Sequence, residues 1–206
     1  MEESFSKNVK NVVFDIGQVL LKYDWRSYLS SLYKDEELVE ILGQAIFLSE
    51  DWEKGDEGIV TPEEWVELFV ENAPDYEEEI RYVCKDLGGV VFPFSHTDGL
   101  IRYFKEKGCR LYYLSNYSEK LRTESKEDLK ILEGFDGGIF SCDVKCIKPD
   151  EKIYRLLLDQ YNINPQETVF FDDRLENIEA ANRLGIHGVV FTPQVAEQIL
   201  DEGRKE

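Results

Sequence analysis

Short runs of β-branched, aromatic and aliphatic residues punctuate this chain, and they constrain its fold more than any other feature. Val12–Phe14, Leu111–Leu114, Val169–Phe171 and Gly188–Phe191 are strong, and Gly138–Phe140 is weaker. Each run is continuous rather than alternating, the pattern of strands buried on both faces. Between the later runs, apolar residues recur at helical spacing. Thr97 to Lys107 ends at Gly108, and Asp150 to Gln160 sets Ile153, Leu156 and Leu157 on one face. Arg174 to Leu184 aligns Leu175, Ile178, Ala181 and Leu184 and stops at Gly185, a C-terminal helix signal. Strand and helix in alternation predict an α/β fold, a doubly wound parallel sheet.

Residues 23–92 break that rhythm. Trp25, Tyr28, Leu29 and Leu32 suggest one helix, and Leu38, Ile41, Leu42 and Ala45 a second. Thr61-Pro62-Glu63-Glu64 marks a third start, with a capping threonine, a first-turn proline and a glutamate three residues on. Trp65, Leu68 and Phe69 follow on one face, and a fourth helix is predicted from Asp75 to Asp86. The organisation expected is a core of residues 1–22 and 93–206 interrupted by an α-helical domain at 23–92.

The 206 residues carry 43 acidic against 24 basic side chains, a formal net charge of −19. Such a surface repels phosphate backbones, which disfavours nucleic acid as a partner. The chain has no run of about 18 apolar residues to span a membrane, and Met1 to Lys10 lacks a secretory apolar core. A cytoplasmic protein acting on a small molecule is expected, of unknown oligomeric state. Any anionic ligand would need local cations. Cys84, Cys109, Cys142 and Cys146 show no paired metal-ligand spacing and read as free thiols. His96 and His187 lie in no motif and are expected on helix or loop surfaces.

Three of the predicted strands end in polar residues: Asp15, then Ser115-Asn116, then Asp172-Asp173. Lys148-Pro149-Asp150 precedes a helix. In open α/β sheets ligands gather beyond the carboxyl ends of strands, so these positions are candidates for chemistry. A carboxylate such as Asp15 attacks phosphorus when cations offset the charge repulsion. The adjacent carboxylates of Asp172 and Asp173 call for a cation, and oxygen donors of this kind suit Mg²⁺. Each position also has a plain structural reading: a turn cap for Asp15, a helix N-cap for Asp172 or Asp173, an ordinary turn for Ser115-Asn116 and a surface lysine for Lys148.

In order and spacing, these four clusters resemble the haloacid dehalogenase superfamily across essentially the whole chain. The helical insertion is similar to the cap of its subfamily I. Phe14-Asp15-Ile16-Gly17-Gln18-Val19, Leu114-Ser115-Asn116 and Phe170-Phe171-Asp172-Asp173 look closest to the α-D-glucose-1-phosphate phosphatases of the family. The resemblance implies a Mg²⁺-dependent phosphatase with Asp15 as nucleophile. It assigns Asp15, Asp173 and the Gly17 carbonyl as metal ligands, with Asp172 direct or through water. Ser115 and the Asn116 amide would bind the phosphoryl group, and Lys148 would hold Asp15 and phosphate together. Asn177, one turn beyond Asp173, would orient it or simply sit exposed.

Gly17 departs from the family pattern, which has a second aspartate there to protonate the leaving oxygen. Its loss is worth about 10²–10⁴ in rate, so activated leaving groups such as a sugar 1-phosphate are expected, or a phospho-ligand-binding protein without turnover. Asp24, or Glu53 or Asp56 from the cap, are candidate substitutes, although Asp24 also reads as a helix cap. Trp52, Glu53 and Lys54 are candidate specificity residues on the cap, with Trp52 equally suited to core packing. Metal-free haloacid dehalogenation is disfavoured by the Asp172-Asp173 pair, and phosphomutase chemistry by the missing aspartate.

Overall fold

The computed structural model describes residues 9–204; the start of the polar Met1 to Lys10 stretch lies outside them. In chain order the strands are β1 (Asn11–Phe14), β2 (Leu21–Tyr23), β3 (Val91–Pro93), β4 (Arg110–Ser115), β5 (Gly137–Phe140), β6 (Thr168–Asp172) and β7 (His187–Val190). Five form one parallel sheet in the order β5-β4-β1-β6-β7. From β1 the chain builds outward through β4 to β5, then crosses to the other side of β1 for β6 and β7. That reversal makes the gap between β1 and β6 a topological switch point, where α/β sheets bind ligands.

Register fixes what meets there. Phe14 pairs with Tyr113 on one side and Phe171 on the other, so Asp15 emerges level with Asp172 and one residue short of Ser115. The Asp15 amide still donates to Phe171 O, at 2.8 Å. Side chains alternate across the sheet. Val12, Phe14, Leu111 and Phe171 enter one apolar layer with Phe104 and Ile199. Val13, Tyr112 and Phe170 enter the opposite layer with Ile153, Leu157 and Ile178.

The helices are α1 (Trp25–Leu32), α2 (Glu36–Leu42), α3 (Asp51–Glu57), α4 (Pro62–Asn72), α5 (Glu77–Val83), α6 (Thr97–Glu106), α7 (Glu119–Glu124), α8 (Ser141–Val144), α9 (Glu151–Tyr161), α10 (Leu175–Arg183) and α11 (Pro193–Gly203). The capping box of α4 forms in both directions: Glu64 N donates to Thr61 Oγ1 at 3.2 Å, and Thr61 N to Glu64 Oε2 at 2.8 Å. Asp150 stands outside α9 as its N-cap, its carboxylate accepting from Lys152 N at 2.8 Å. The second insertion helix runs on as a wider π-turn over Gly43–Phe47.

Three sequence expectations are corrected. β2 was not foreseen, because three residues are too few to show an alternating pattern; it pairs antiparallel with β3 at the root of the helical insertion. His187 opens strand β7 rather than lying on a helix or loop. His96 is half-buried, its ring against Phe94 and Phe191, with Nε2 3.0 Å from Val19 O. Its two flanking aromatics, distant in sequence on one side, drew it inward.

One apolar cluster joins the insertion to the sheet. Leu29, Leu42, Trp65 and Phe69 share it with Ile16, Tyr117 and Phe140. Polar bonds cross the same seam: Ser141 Oγ donates to Asp56 O at 2.5 Å, and Lys145 Nζ to Gly58 O. Helix α3 approaches α4 closely because residue 55 has no side chain. A Cβ there would lie 2.3 Å from the Trp65 indole. Gly55→Ala should therefore lower the unfolding free energy by roughly 1–3 kcal/mol, the usual cost of overpacking, measured by denaturant titration. Gly17→Ala is the control, since its Cβ would meet nothing within 4 Å; it should stay within about 0.5 kcal/mol of the parent.

Candidate active site

Asp15 follows β1 directly and is 8 % exposed. Its Oδ1 accepts from Ile16 N at 2.7 Å and Ser115 Oγ at 2.7 Å, and lies 3.0 Å from Lys148 Nζ. Among the described residues no hydrogen bond reaches Oδ2, so the carboxylate is fixed by one oxygen with the other left for chemistry. Burial pushes the Asp15 carboxyl up to about 7, opposed by the Lys148 charge and reinforced by that of Asp172.

Lys148 is 2 % exposed and also holds Asp172 Oδ2 at 2.6 Å. Burial alone would lower its ammonium; the charges of Asp15 and Asp172 outweigh that and hold it above the ordinary lysine range. The surface-lysine reading thus fails. The Asn116 side chain clamps the Lys148 backbone from both sides, with Oδ1 accepting from its N–H at 2.8 Å and Nδ2 donating to its carbonyl at 3.0 Å. Sequence reasoning had assigned only the Asn116 amide a role and missed this clamp, since residues 32 apart carry no local signal.

Asp172 is fully buried and saturated. Besides Lys148, Asn177 Nδ2 donates to both of its oxygens at 2.9 and 3.0 Å, and Arg174 N to Oδ1 at 2.9 Å. Asn177 is therefore a buried partner of Asp172 rather than an exposed residue or a support for Asp173. The helix N-cap reading of the acidic pair is not what forms: Arg174 is the N-cap of α10 and no side chain caps it, so Asp172 bonds the turn ahead of the helix instead. Asp173 faces outward.

Asp15, Asp172 and Asp173 bring carboxylate oxygens within 4.8 Å of one another. Three carboxylates against one ammonium leave excess negative charge, and an all-oxygen donor set fits a hard divalent ion. Asn177 Oδ1 is buried and has no hydrogen-bond partner among the described residues. With Asp172 committed to Lys148 and Asn177, Asp15 and Asp173 are the freer donors.

These groups sit at the floor of an open cleft of about 310 Å³. Asp15, Gly17, Asn116, Lys148, Asp173 and Arg174 come from the sheet side, while Phe47, Leu48, Ser49, Trp52, Glu53 and Asp56 come from the insertion. Ser115 is absent from the lining; its hydroxyl is spent on Asp15, so contact with a ligand would require a change of partner. Lys54 also lies elsewhere. It pairs with Asp51 at 2.6 Å and borders a separate cavity, because α3 turns it away from the face bearing Trp52, Glu53 and Asp56. Trp52 both lines the cleft and packs on Trp65, Phe47 and Phe69. Asp24 caps α1 through Ser27 N at 3.0 Å and pairs with Lys22 at 2.7 Å, which holds it below the usual carboxylate range.

Sequence reasoning missed Tyr23, Tyr117 and Arg174 as cleft residues. Arg174 adds a second cation to the rim, and its position directly after Asp172-Asp173 was the available signal. Tyr117 had a similar signal, directly after Ser115-Asn116, whereas Tyr23, between Lys22 and Asp24, had none.

Comparison with known proteins agrees with this geometry. Residues 9–185 match the profile of a family described as haloacid dehalogenase-like hydrolase. A sesquiterpene phosphatase of Aspergillus oryzae is 27 % identical over 91 % of this chain and 92 % of its own length. A phosphorylated carbohydrates phosphatase of Thermotoga maritima is 30 % identical over 50 % of this chain and 49 % of its own. In fold, a haloacid dehalogenase family enzyme of Bacteroides thetaiotaomicron, crystallised with magnesium and inorganic phosphate, superposes with a TM-score of 0.69 at 20 % identity, covering 89 % of this chain and 94 % of that one. The ordered strand-end carboxylates, the lysine and the family match together make this chain a hydrolase of the haloacid dehalogenase-like family.

Proposed function

We propose that the protein is a Mg²⁺-dependent phosphatase of small phosphorylated metabolites. The observation that carries this reading is the state of Asp15: one oxygen held by three donors, the other without a hydrogen bond in the described structure. That oxygen attacks phosphorus as the bond from phosphorus to the leaving oxygen breaks, giving an aspartyl-phosphate and the released alcohol. Lys148 keeps the attacking carboxylate and the incoming phosphate close, a task for a buried point charge. Arg174, which lines the cleft, adds attraction for the dianion. Asp15 and Asp173 would hold the ion, with the Gly17 carbonyl beside them and Asp172 fixing Lys148. When bound, Mg²⁺ would neutralise phosphoryl oxygens and lower the repulsion against the nucleophile.

Residues 23–92 act in this reading as the cap, and 1–22 with 93–206 as the core. The cap side of the cleft bears Phe47, Leu48 and Trp52, with Tyr23 and Val91 nearby. This wall supports a leaving group with a flat apolar face, which a hexose ring offers and other alcohols offer too. Relatives that dephosphorylate carbohydrates and a sesquiterpene are consistent with either. A hexose 1-phosphate remains our preferred first substrate, because its anomeric oxygen leaves more readily than a simple alkoxide.

Purified protein with Mg²⁺ should hydrolyse p-nitrophenyl phosphate, with turnover lost on chelation and in Asp15→Asn. Phosphate binding without any such turnover would instead identify a phospho-ligand-binding protein. A second measurement addresses position 17. Its backbone is not left-handed and a Cβ there meets open space, so Gly17→Asp is sterically admissible. That variant should raise turnover of poor leaving groups more than that of p-nitrophenyl phosphate, because protonation helps only the former. Equal changes on both would contradict this account of Gly17.

A further inference from the structure

The phosphatase reading leaves one chemical need unmet, a proton for the leaving oxygen. Of the three carboxylates that the sequence offers as substitutes, Asp24 is committed to its helix cap and Lys22. Glu53 is exposed on the cleft rim. Asp56 is different. It is 8 % exposed, lines the same cleft as Asp15 and Gly17, and its Oδ1 is buried without a hydrogen-bond partner among the described residues.

Its position is also firmly set. The preceding Gly55 lets α3 seat against Trp65, and the Asp56 carbonyl accepts from Ser141 Oγ at 2.5 Å. That same Ser141 hydroxyl accepts from Tyr117 N at 2.9 Å, two residues beyond Ser115. The strand that supplies Ser115 and the helix that supplies Asp56 are thus tied to one hydroxyl.

A buried carboxylate with an unpaired oxygen pays a large desolvation cost, so the group stays protonated instead. The ionisable groups facing it are Glu53, Asp15, Lys148, Tyr23, Tyr117 and Cys142. Burial pushes Asp56 up to about 8, with the charges of Glu53 and Asp15 adding to the effect and the Ser118 amide and Lys148 opposing it. At neutral pH the cleft therefore contains a carboxylic acid with a proton to give.

We propose that Asp56 is the general acid of this site, supplied by the cap in place of the carboxylate missing at Gly17. The proposal rests on the phosphatase reading. As Asp15 attacks phosphorus, the bond from phosphorus to the leaving oxygen breaks and its electron pair stays on that oxygen. The Asp56 carboxyl transfers its proton there, releasing the neutral alcohol and leaving a carboxylate. Water then adds to the aspartyl-phosphate and gives one proton to Asp56. The bond from phosphorus to Asp15 breaks with its electrons returning to Asp15, and hydrogen phosphate leaves. Both side chains are restored.

The test is Asp56→Asn in the Mg²⁺-loaded protein, with alcohol release followed by single-turnover quench on glycerol 2-phosphate and on p-nitrophenyl phosphate. Release from the alkyl ester should fall by about 10²–10⁴-fold, and that of p-nitrophenolate by less than about 10-fold, because this leaving group needs little protonation. In the parent, the alkyl-ester rate should decline above about pH 8, as Asp56 loses its proton, while the p-nitrophenyl rate should not. That profile needs no variant, so misfolding of Asp56→Asn would not shelter the proposal. An equal fall on both substrates, or no selective alkaline decline in the parent, overturns it. So does a selective loss in Tyr23→Phe with none in Asp56→Asn, since the Tyr23 hydroxyl is also buried, on the cleft and without a partner among the described residues. Failure of the phosphatase reading is separately visible as no Asp15-dependent turnover of p-nitrophenyl phosphate by the parent.

Discussion

One buried ammonium between two buried carboxylates organises this protein. Lys148 Nζ lies 3.0 Å from Asp15 and 2.6 Å from Asp172, with all three side chains nearly or fully shielded from water. Each ion taken from water costs several kcal/mol, and only close pairing with further hydrogen bonds offsets that. The further bonds are present. Ser115 and the Ile16 amide complete Asp15, Asn177 and the Arg174 amide complete Asp172, and Asn116 pins the Lys148 backbone. Because these partners come from β4, β6, α10 and the loop before α9, the ion triad also ties together the carboxyl end of the sheet.

The cleft above the triad divides its labour by origin. The sheet contributes charge and hydrogen-bond donors; the insertion contributes Phe47, Leu48 and Trp52 together with the carboxyls of Glu53 and Asp56. Apolar side chains around a charged floor lower the local dielectric and strengthen each electrostatic contact there. The seam through Leu42, Phe69, Tyr117 and Phe140 holds those side chains against the floor. Gly17 belongs to this division as well. Its side of the cleft is open, with no steric reason for glycine, so the missing carboxylate is a matter of chemistry and not of backbone strain.

Much of the fold was legible because buried parallel strands are short continuous apolar runs. All five runs read from the sequence are strands, with only the last shifted by one residue, from Gly188–Phe191 to His187–Val190. The threonine at 61 announced α4 through a purely local capping box. Local signals failed where pairing was remote. β2 is too short to alternate, His96 is drawn inward by Phe94 and Phe191, and Lys54 turns away with Asp51 while its neighbours line the cleft.

The same boundary separates the two levels of the site. Sequence alone determined which strand ends carry Asp15, Ser115 and Asp172-Asp173, and that a lysine precedes a helix nearby, because these are properties of short segments. The tertiary structure decided how they are spent: Ser115 on Asp15 rather than on the cleft, Asn177 on Asp172 rather than Asp173, and Asn116 on the lysine backbone. It also decided which of the candidate carboxylates Asp24, Glu53 and Asp56 is buried: Asp56, in the cleft that Asp15 also lines. Burial and the spending of hydrogen bonds depend on groups far apart in the chain, and only the packed sheet and insertion bring them within reach.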